Sequence, residues 1–490
     1  MTRSAVLSID LGTTGCRAGV FSAEGERLGY CHVEYGLSHP EPGAAEQDPE
    51  DWWAATRACL RAVAGKLARP AEIKAIGISA QGHSWVPVDA RLLPLRPALT
   101  WLDTRATPFA RELLEARGAG FWCAVAGKAP GPWHTLPQLL WLRQSEPKTA
   151  AAAAHFLYAH DFLLARLTGR RLTDYTTAAA SLLLDVARFR WSDSLLAEYG
   201  VSLSALSPVV PAGSVAGRLS RDIAAQLGLA PGAIVAVGAQ DQKCAALGAG
   251  LRPGMATVSL GTSTAISAMA QAPCAAPGSA IPCFPYLAQR TWVLEAPLTT
   301  TGAALKWLRD LARGLGAPDP SYADLTALAA RSEPGSRGVR FLPFLAGAGA
   351  PHWLGEARGA LAGLELATEA GDIARALLEG VAFEIRGNLE VMRPQGVEVH
   401  RLRLFGGGAR SALWARIIAD VTGLEVETSE DVETAGAGAA ALALSAAGIC
   451  DIPTAQRTLD RPGQTLEPHP EPRYEEAYFG YCRQRDLWLR

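Results

Sequence analysis

The sequence predicts an α/β protein assembled from two similar halves, and three observations predict it. Short apolar runs of strand length alternate with longer stretches whose apolar residues recur every three or four positions. One small turn is written twice, as SIDLGTTG at Ser8 to Gly15 and as VSLGTSTA at Val258 to Ala265, about half of the 490-residue chain apart. A chain of this length is also too long for a single hydrophobic core, so two domains of similar size are expected.

Each element follows from its local pattern. Ser4 to Ile9 reads as a buried strand entering the tight turn Asp10-Leu11-Gly12. Arg17 to Phe21 and Leu28 to Tyr35, separated by Glu24-Gly25-Glu26, read as the next two strands of a meander. Asp48 can cap and Pro49 can begin the helix that follows, and IKAIGIS, Ile73 to Ser79, returns as a strand. AIVAVGAQD, Ala233 to Asp241, predicts one further strand, with the domain boundary just beyond it: residues 1–243 form one domain and 244–490 the other. The second half repeats the plan. Met255 to Leu260 and Thr264 to Ala268 are strands, WVLEA at Trp292 is the third, and TGAALKWLRDLARGL is the helix. A helix from Gly371 to about Met392, the strand RLRLF, a helix after Gly408, the strand LEVETS and an Ala-rich helix near Glu433 to Ala447 complete it. The last forty or so residues read as a Pro-rich connector and a final helix.

Composition narrows the function. Lys+Arg 46 against Asp+Glu 48 gives a net charge of −2, without the basic excess of a nucleic-acid surface, so a small-molecule partner is expected. The nine cysteines are scattered, with no Cys-x-x-Cys pair, and read as buried thiols of a reducing compartment. No uninterrupted apolar run approaches the roughly 18 residues that cross a membrane, and no cleavage site follows Arg3. A cytoplasmic protein is expected.

Two Gly-Thr turns facing one another across a cleft would offer backbone N–H groups and hydroxyls to a phosphate chain from both sides. Only one side needs a carboxylate for a metal, which accounts for Asp10 before the first turn and Ser259 before the second. Asp10 can hold Mg²⁺, through its water shell because Mg²⁺ sheds water reluctantly, or merely cap its turn. No P-loop occurs, and Gly436 to Ala441 (GAGAAA), which matches a loose dinucleotide pattern, follows SEDVETA rather than a strand and reads as close helix packing.

Taken in order, these segments resemble the FGGY family of sugar kinases in the actin/hexokinase superfamily, most nearly its xylulokinase-like members. The likeness is carried by IDLGTTGCRAGVF, EQDPEDWW, WLDTR (Trp101 to Arg105), VGAQDQ (Val237 to Gln242), SLGTST, GALAGLELATEAGDIARALLEG (Gly359 to Gly380) and LFGGGARS (Leu404 to Ser411), and it covers nearly the whole chain. It implies two ribonuclease-H-like domains around an interdomain cleft, and an ATP- and Mg²⁺-dependent transfer to a primary hydroxyl of a small ketose, D-xylulose giving the 5-phosphate. Asp241 matches the general base, although an N-cap role can coexist with that one. Gly12, Thr13 and Thr14, with Gly261, Thr262 and Gly302, match the phosphate-binding positions, and Gly407, Gly408 and Ala409 the adenosine loop. Arg17 either neutralises phosphate charge or is a solvated hairpin arginine.

SAQGHS places Gln81, Gly82 and His83 at a strand end, where ligands bind in α/β folds. A His here is similar to the sugar-binding His of the ketose kinases; alone it would read as a satisfied structural residue. Trp101 and Asp103 are second candidates, with Gln242 beside the base: the indole offers an apolar face to a sugar and the carboxylate accepts hydroxyl hydrogen bonds. PFLAGAGAPHW and TGAALKWLRD look nearer to glycerol kinase, and Gln138 stands where the family's first signature usually has Lys, so L-ribulose, glycerol or a deoxysugar stand as alternatives. So does a non-catalytic ATP-binding switch of the actin type. A homodimer is compatible with the resemblance.

Overall fold

The computed structural model of the chain describes residues 4–66, 73–273, 281–316 and 319–490. Its first sheet is nucleated by β1 (Ala5–Leu11), buried along its whole length, which pairs antiparallel with β2 (Gly15–Ser22), itself paired to β3 (Arg27–Glu34). The helix α1 (Pro49–Ala64) starts as the sequence predicts, with the Asp48 carboxylate accepting the Glu50 N–H. It leads into β4 (Ile73–Ala80), parallel to β1. After a long excursion that includes α2 (Ala159–Thr168), the edge is completed by β5 (Val215–Arg218) and β6 (Ile234–Ala236), giving the order β3-β2-β1-β4-β6-β5.

The second sheet repeats the first strand for strand. Following α3 (Asp241–Gly248), β7 (Gly254–Ser259), β8 (Thr264–Ala270) and β9 (Trp292–Leu298) form the antiparallel side. After α4 (Gly302–Gly314) and the long α5 (Ala370–Met392), β10 (Val399–Phe405) runs parallel to β7. Next come α6 (Ala412–Thr422), β11 (Glu425–Ser429), α7 (Thr434–Ala446) and β12 (Pro462–Leu466). The order is β9-β8-β7-β10-β11-β12, with Cys283–Pro285 added outside β9. The predicted α/β duplication is therefore the architecture, and the strand β12 occupies part of the segment expected to be a connector.

One element differs in kind. The strand expected over Ala233 to Asp241 breaks after β6 and resumes as Ala239–Gln240 against β4, and Asp241 opens α3, as the helix-start reading of that residue allows. The break lies at Gly238, where a Cβ would come 1.5 Å from the Ile78 carbonyl oxygen. The backbone passes so close to β4 that it leaves the straight ladder there. The boundary expected after residue 243 thus falls inside α3.

The Gly-Ala run joins the halves as a packing surface, as expected. α7, from the second half in sequence, packs on α3 and on β1 and β4 of the first sheet. Small residues make the approach: a Cβ at Gly77 would lie 1.9 Å from the Ala439 oxygen, and one at Gly438 2.0 Å from the Cys244 oxygen. Among the described cysteines all are free thiols, and Cys31, Cys450 and Cys482 are half-buried rather than buried. Cys274 lies outside the described residues. No described helix is long and apolar enough to cross a membrane.

Candidate active site

The candidate residues fall at the ends of the central strands of the two sheets, one group at β1 and β4 and the other at β7 and β10. Asp10 sits one residue before the end of β1, in register with Arg17 on β2 and Ser79 on β4. Its Oδ1 accepts the Ser79 hydroxyl at 2.7 Å, and Arg17 Nη1 stands 3.8 Å from Oδ2. Burial pushes the Asp10 carboxyl above the usual carboxylate range, while Ser79 and Arg17 pull it back. Arg17 is not a free surface arginine: its Nε lies 3.5 Å from Glu433, on the segment leading into α7, and Glu433 also accepts from Tyr30 Oη at 3.2 Å.

The first Gly-Thr turn is held from behind. Gly12 N–H donates to the Gly15 carbonyl at 3.0 Å, Tyr35 Oη donates to the Gly12 carbonyl, and Gln47 Nε2 donates to the Thr13 carbonyl at 2.6 Å. With these carbonyls engaged, N–H groups and threonine hydroxyls remain as its ligand-facing chemistry. The second turn is tied instead to a helix start. The Gly261 carbonyl accepts Gly302 N–H at 2.9 Å, and the Thr262 carbonyl accepts Thr301 and Ala303 N–H, each at 3.1 Å. A Cβ at Gly302 would come 2.4 Å from the Gly261 oxygen, so this contact requires glycine. The N-terminus of the 13-residue α4 thereby abuts the turn and contributes partial positive charge. Gly408 N–H donates to the Leu260 carbonyl at 2.8 Å, which seats Gly407, Gly408 and Ala409 beside the same turn. A Cβ on Gly407 would touch nothing.

Asp241 opens α3 with its Oδ1 accepting Gln242 N–H at 2.7 Å. Burial, then the negative charge of Asp10, raises its pKa to about 7. Two desolvated carboxylates that destabilise each other's charge are a donor set that a divalent cation would relieve, with water and phosphate oxygens completing a Mg²⁺ shell. Among the described residues no group of three or more His, Cys, Asp or Glu side chains could hold a metal without such help.

Beside Asp241 lie the sugar candidates. Gln81 N–H donates to the Leu11 carbonyl at 2.7 Å and its Nε2 to Gln47 Oε1 at 2.8 Å. Gly82 packs on Gln240, the residue before Asp241, so tightly that a Cβ would meet Gln240 Nε2 at 1.9 Å. His83 adopts a left-handed backbone (φ 61°), a conformation that costs a non-glycine residue free energy and that recurs at ligand sites. Its ring stands 5.2 Å from His134, and burial, with His134, Lys128 and Lys243 opposing a further positive charge beside them, keeps its pKa well below the usual value, so the imidazole is neutral. The buried polar atoms Gln81 Oε1, His83 Nε2 and Gln240 Oε1 have no hydrogen-bond partner among the described residues. Trp101, 44% exposed, donates from Nε1 to Thr13 Oγ1 at 2.9 Å.

Asp103 is placed otherwise. It is 1% exposed, and its oxygens accept from Ala45 N–H at 3.0 Å and from Arg105, whose Nη2 is 2.7 Å away. With its acceptor sites so engaged, it braces the loop carrying Trp101 and presents no free edge to a ligand.

The sequence reading missed several participants. Gln47 links Gln81, Trp52 and the first turn; a glutamine inside a buried strand was its signal. Glu433 and Ser79 carried none. Lys128 and Lys243 both lie against the Phe284 ring, 3.6 and 3.5 Å from its centre. Lys243 pairs with Glu295 at 2.7 Å, whereas Lys128 donates to the Ala179 carbonyl and has no carboxylate partner among the described residues.

Comparison with known proteins fits this geometry. Residues 5–248 match the model of the FGGY family of carbohydrate kinases, N-terminal domain, and residues 256–447 that of its C-terminal domain. The chain is 33% identical over 446 residues to the xylulose kinase of Escherichia coli K12, covering 90% of each. It is 30% identical to the gluconokinase of Bacillus subtilis 168 over 458 residues, 91% of this chain and 88% of the relative. The solved xylulose kinase of Rhodospirillum rubrum superposes with a TM-score of 0.92 at 28% identity, over 99% of this chain and 98% of that one. The chain belongs to the FGGY family of carbohydrate kinases and is a phosphotransferase with an alcohol group as acceptor.

Proposed function

We propose that this kinase transfers the γ-phosphoryl group of ATP to a primary hydroxyl of a small ketose, D-xylulose giving D-xylulose 5-phosphate. The observation that carries the reading is that Gln81 Oε1, His83 Nε2 and Gln240 Oε1, on two segments that abut at Gly82 and Gln240 just before Asp241, are buried and have no partner among the described residues. Such atoms are costly in a dry pocket and are what a polyhydroxyl ligand would satisfy.

In this reading Asp241 accepts the proton of the sugar hydroxyl as its oxygen attacks the γ-phosphorus in line, and a pKa of about 7 suits a base working near neutrality. Neutral His83, with Gln81 and the backbone at Gly82, orients the ketose, and Gln242 lies beside it. Trp101 covers one face, with Asp103 holding its loop in place. Gly12, Thr13 and Thr14 bind phosphate from one side and Gly261, Thr262 and Gly302 from the other, while Arg17 adds positive charge. Gly407, Gly408 and Ala409 would seat the adenosine, and Asp10 would hold Mg²⁺. When bound, Mg²⁺ neutralises charge on the phosphate oxygens. The two lobes, 1–243 and 244–490, close on the ligands and exclude water. A cytoplasmic setting and a homodimer complete the reading.

A second reading is favoured by Lys128. Burial and the neighbouring Lys243 hold the Lys128 amine well below the usual lysine range, and it has no carboxylate partner among the described residues; the carboxylate of a sugar acid would favour its charged form, and a gluconokinase is among the relatives. ADP release with Mg-ATP against D-xylulose, both ribuloses, glycerol and gluconate separates the two. D-Xylulose well above the others supports the ketose reading. Gluconate leading, and lost in Lys128→Met, replaces it with the second. Glycerol or a ribulose leading overturns both.

A further inference from the structure

We infer that His160 is a positioning residue for the base-bearing segment, fixing Asp241 through the backbone of Gly238. The inference rests on the reading of Asp241 as base and goes beyond it, because His160 belongs to α2 and lies outside the cleft residues described above.

Sheet pairing cannot hold this segment by itself. β6 ends at Ala236, the ladder to β4 resumes only at Ala239, and the Gly238 N–H between them is buried and needs an acceptor. It donates to His160 Nε2 at 2.9 Å. A backbone N–H can only donate, so Nε2 must carry the lone pair and Nδ1 the proton. The neighbour of Nδ1 agrees: Asp161 Oδ1 lies 3.0 Å away and accepts from it. His160 and Asp161 are both fully buried, and the carboxylate therefore fixes one tautomer and one ring orientation.

A second anchor follows two residues on. Gln240 N–H donates to Thr176 Oγ1 at 2.9 Å, and Thr176 N–H is held by Asp174 at 2.7 Å. On the opposite side the segment is pressed against β4 at Gly238, where only glycine fits. His160 and Thr176 thus clamp the chain on either side of Ala239, immediately before Asp241. Displacing a catalytic group by about 1 Å can cost roughly 100-fold in rate, which is the size of effect such a clamp governs.

Three variants test it. His160→Gln places an amide oxygen near the position of Nε2, His160→Asn is too short to reach Gly238, and His160→Leu offers no acceptor. The Gln variant is expected to keep kcat within about three-fold, whereas Asn and Leu lower it at least tenfold with the KM values for ATP and sugar nearly unchanged. Hydrogen exchange across a peptide containing Gly238 should quicken in Asn and Leu and stay slow in Gln. Equal kcat in the Gln and Leu variants, whether normal or reduced, overturns the inference, and so does unaltered exchange in both Asn and Leu. The exchange readout does not depend on chemistry. Should Asp241→Asn turn over normally, the base reading falls while the tether is still judged by exchange.

Discussion

The two Gly-Thr turns occupy equivalent places in duplicated sheets, yet they differ in what precedes and supports them. In the first, Asp10 faces Arg17 and Ser79 and raises the pKa of Asp241. In the second, Ser259 takes the place of the carboxylate, and its Oγ accepts the Ala265 N–H at 2.8 Å. The first turn is braced by the side chains of Tyr35, Gln47 and Trp101, the second by the backbone of α4. Duplication supplied two turns of similar form, and the first carries a carboxylate where the second carries a serine. A cleft that gathers a polyphosphate needs positive and neutral surroundings over most of its wall, with negative charge confined to where a cation or a proton is handled.

The largest break in this comparison comes from removing the base. Asp241→Asn should lower turnover by about 10²- to 10⁴-fold while nucleotide binding, followed by titration calorimetry, is kept. Full turnover in this variant would remove Asp241 from the chemistry. Next, Asp10→Ser makes the first turn a copy of the second; turnover should fall on the order of 100-fold and the Mg²⁺ concentration giving half-maximal rate should rise, and an unchanged Mg²⁺ curve would place the cation elsewhere.

The reciprocal change, Ser259→Asp, makes the second turn a copy of the first. A carboxylate facing phosphate across a few ångströms should weaken ATP binding roughly tenfold or more, and equal or tighter binding would show that the second turn does not meet phosphate.

The pH dependence sharpens the same contrast, because the raised Asp241 belongs to the first half alone. With a pKa of about 7 in the ligand-free protein, kcat/KM should rise with pH below 7 and level off above it, since only the deprotonated carboxyl accepts the proton. For stability the sign is opposite. The raised pKa makes a contribution that is full below the unfolded-state pKa of about 4 and is lost as pH rises through about 7, so thermal stability of wild type should decline across that window relative to Asp241→Asn. Parallel stability curves would show that Asp241 titrates normally. The smallest effect is expected at the seam between the halves. Gly77→Ala puts a methyl 1.9 Å from the Ala439 oxygen and should cost about 1–3 kcal/mol, read as a fall in Tm, with no change in the pH profile.

Much of the fold was legible because its signals are local. Strand-length apolar runs, the Asp48-Pro49 helix start and the repeated Leu-Gly-Thr fixed the duplicated plan before any contact was known. The Gly-Ala run of α7 was also readable as packing, since small residues in a helix mark close approach. The strand expected through Asp241 failed for a reason that is not local. Apolar residues continue through Val237, but the chain passes too close to β4 at Gly238 to stay in the ladder, while the helix start at Asp241 was itself legible.

By itself, then, the sequence determined the fold class, the two Gly-Thr turns and the residue types that could carry charge, because periodicity and turn chemistry are properties of neighbours along the chain. Tertiary structure alone decided which of those residues meet. It buried Asp103 against the Ala45 N–H, brought Glu433 to Arg17 and set His160 under Gly238. Contacts between residues tens to hundreds of positions apart depend on how whole elements pack, and burial then sets the charge state of what they enclose.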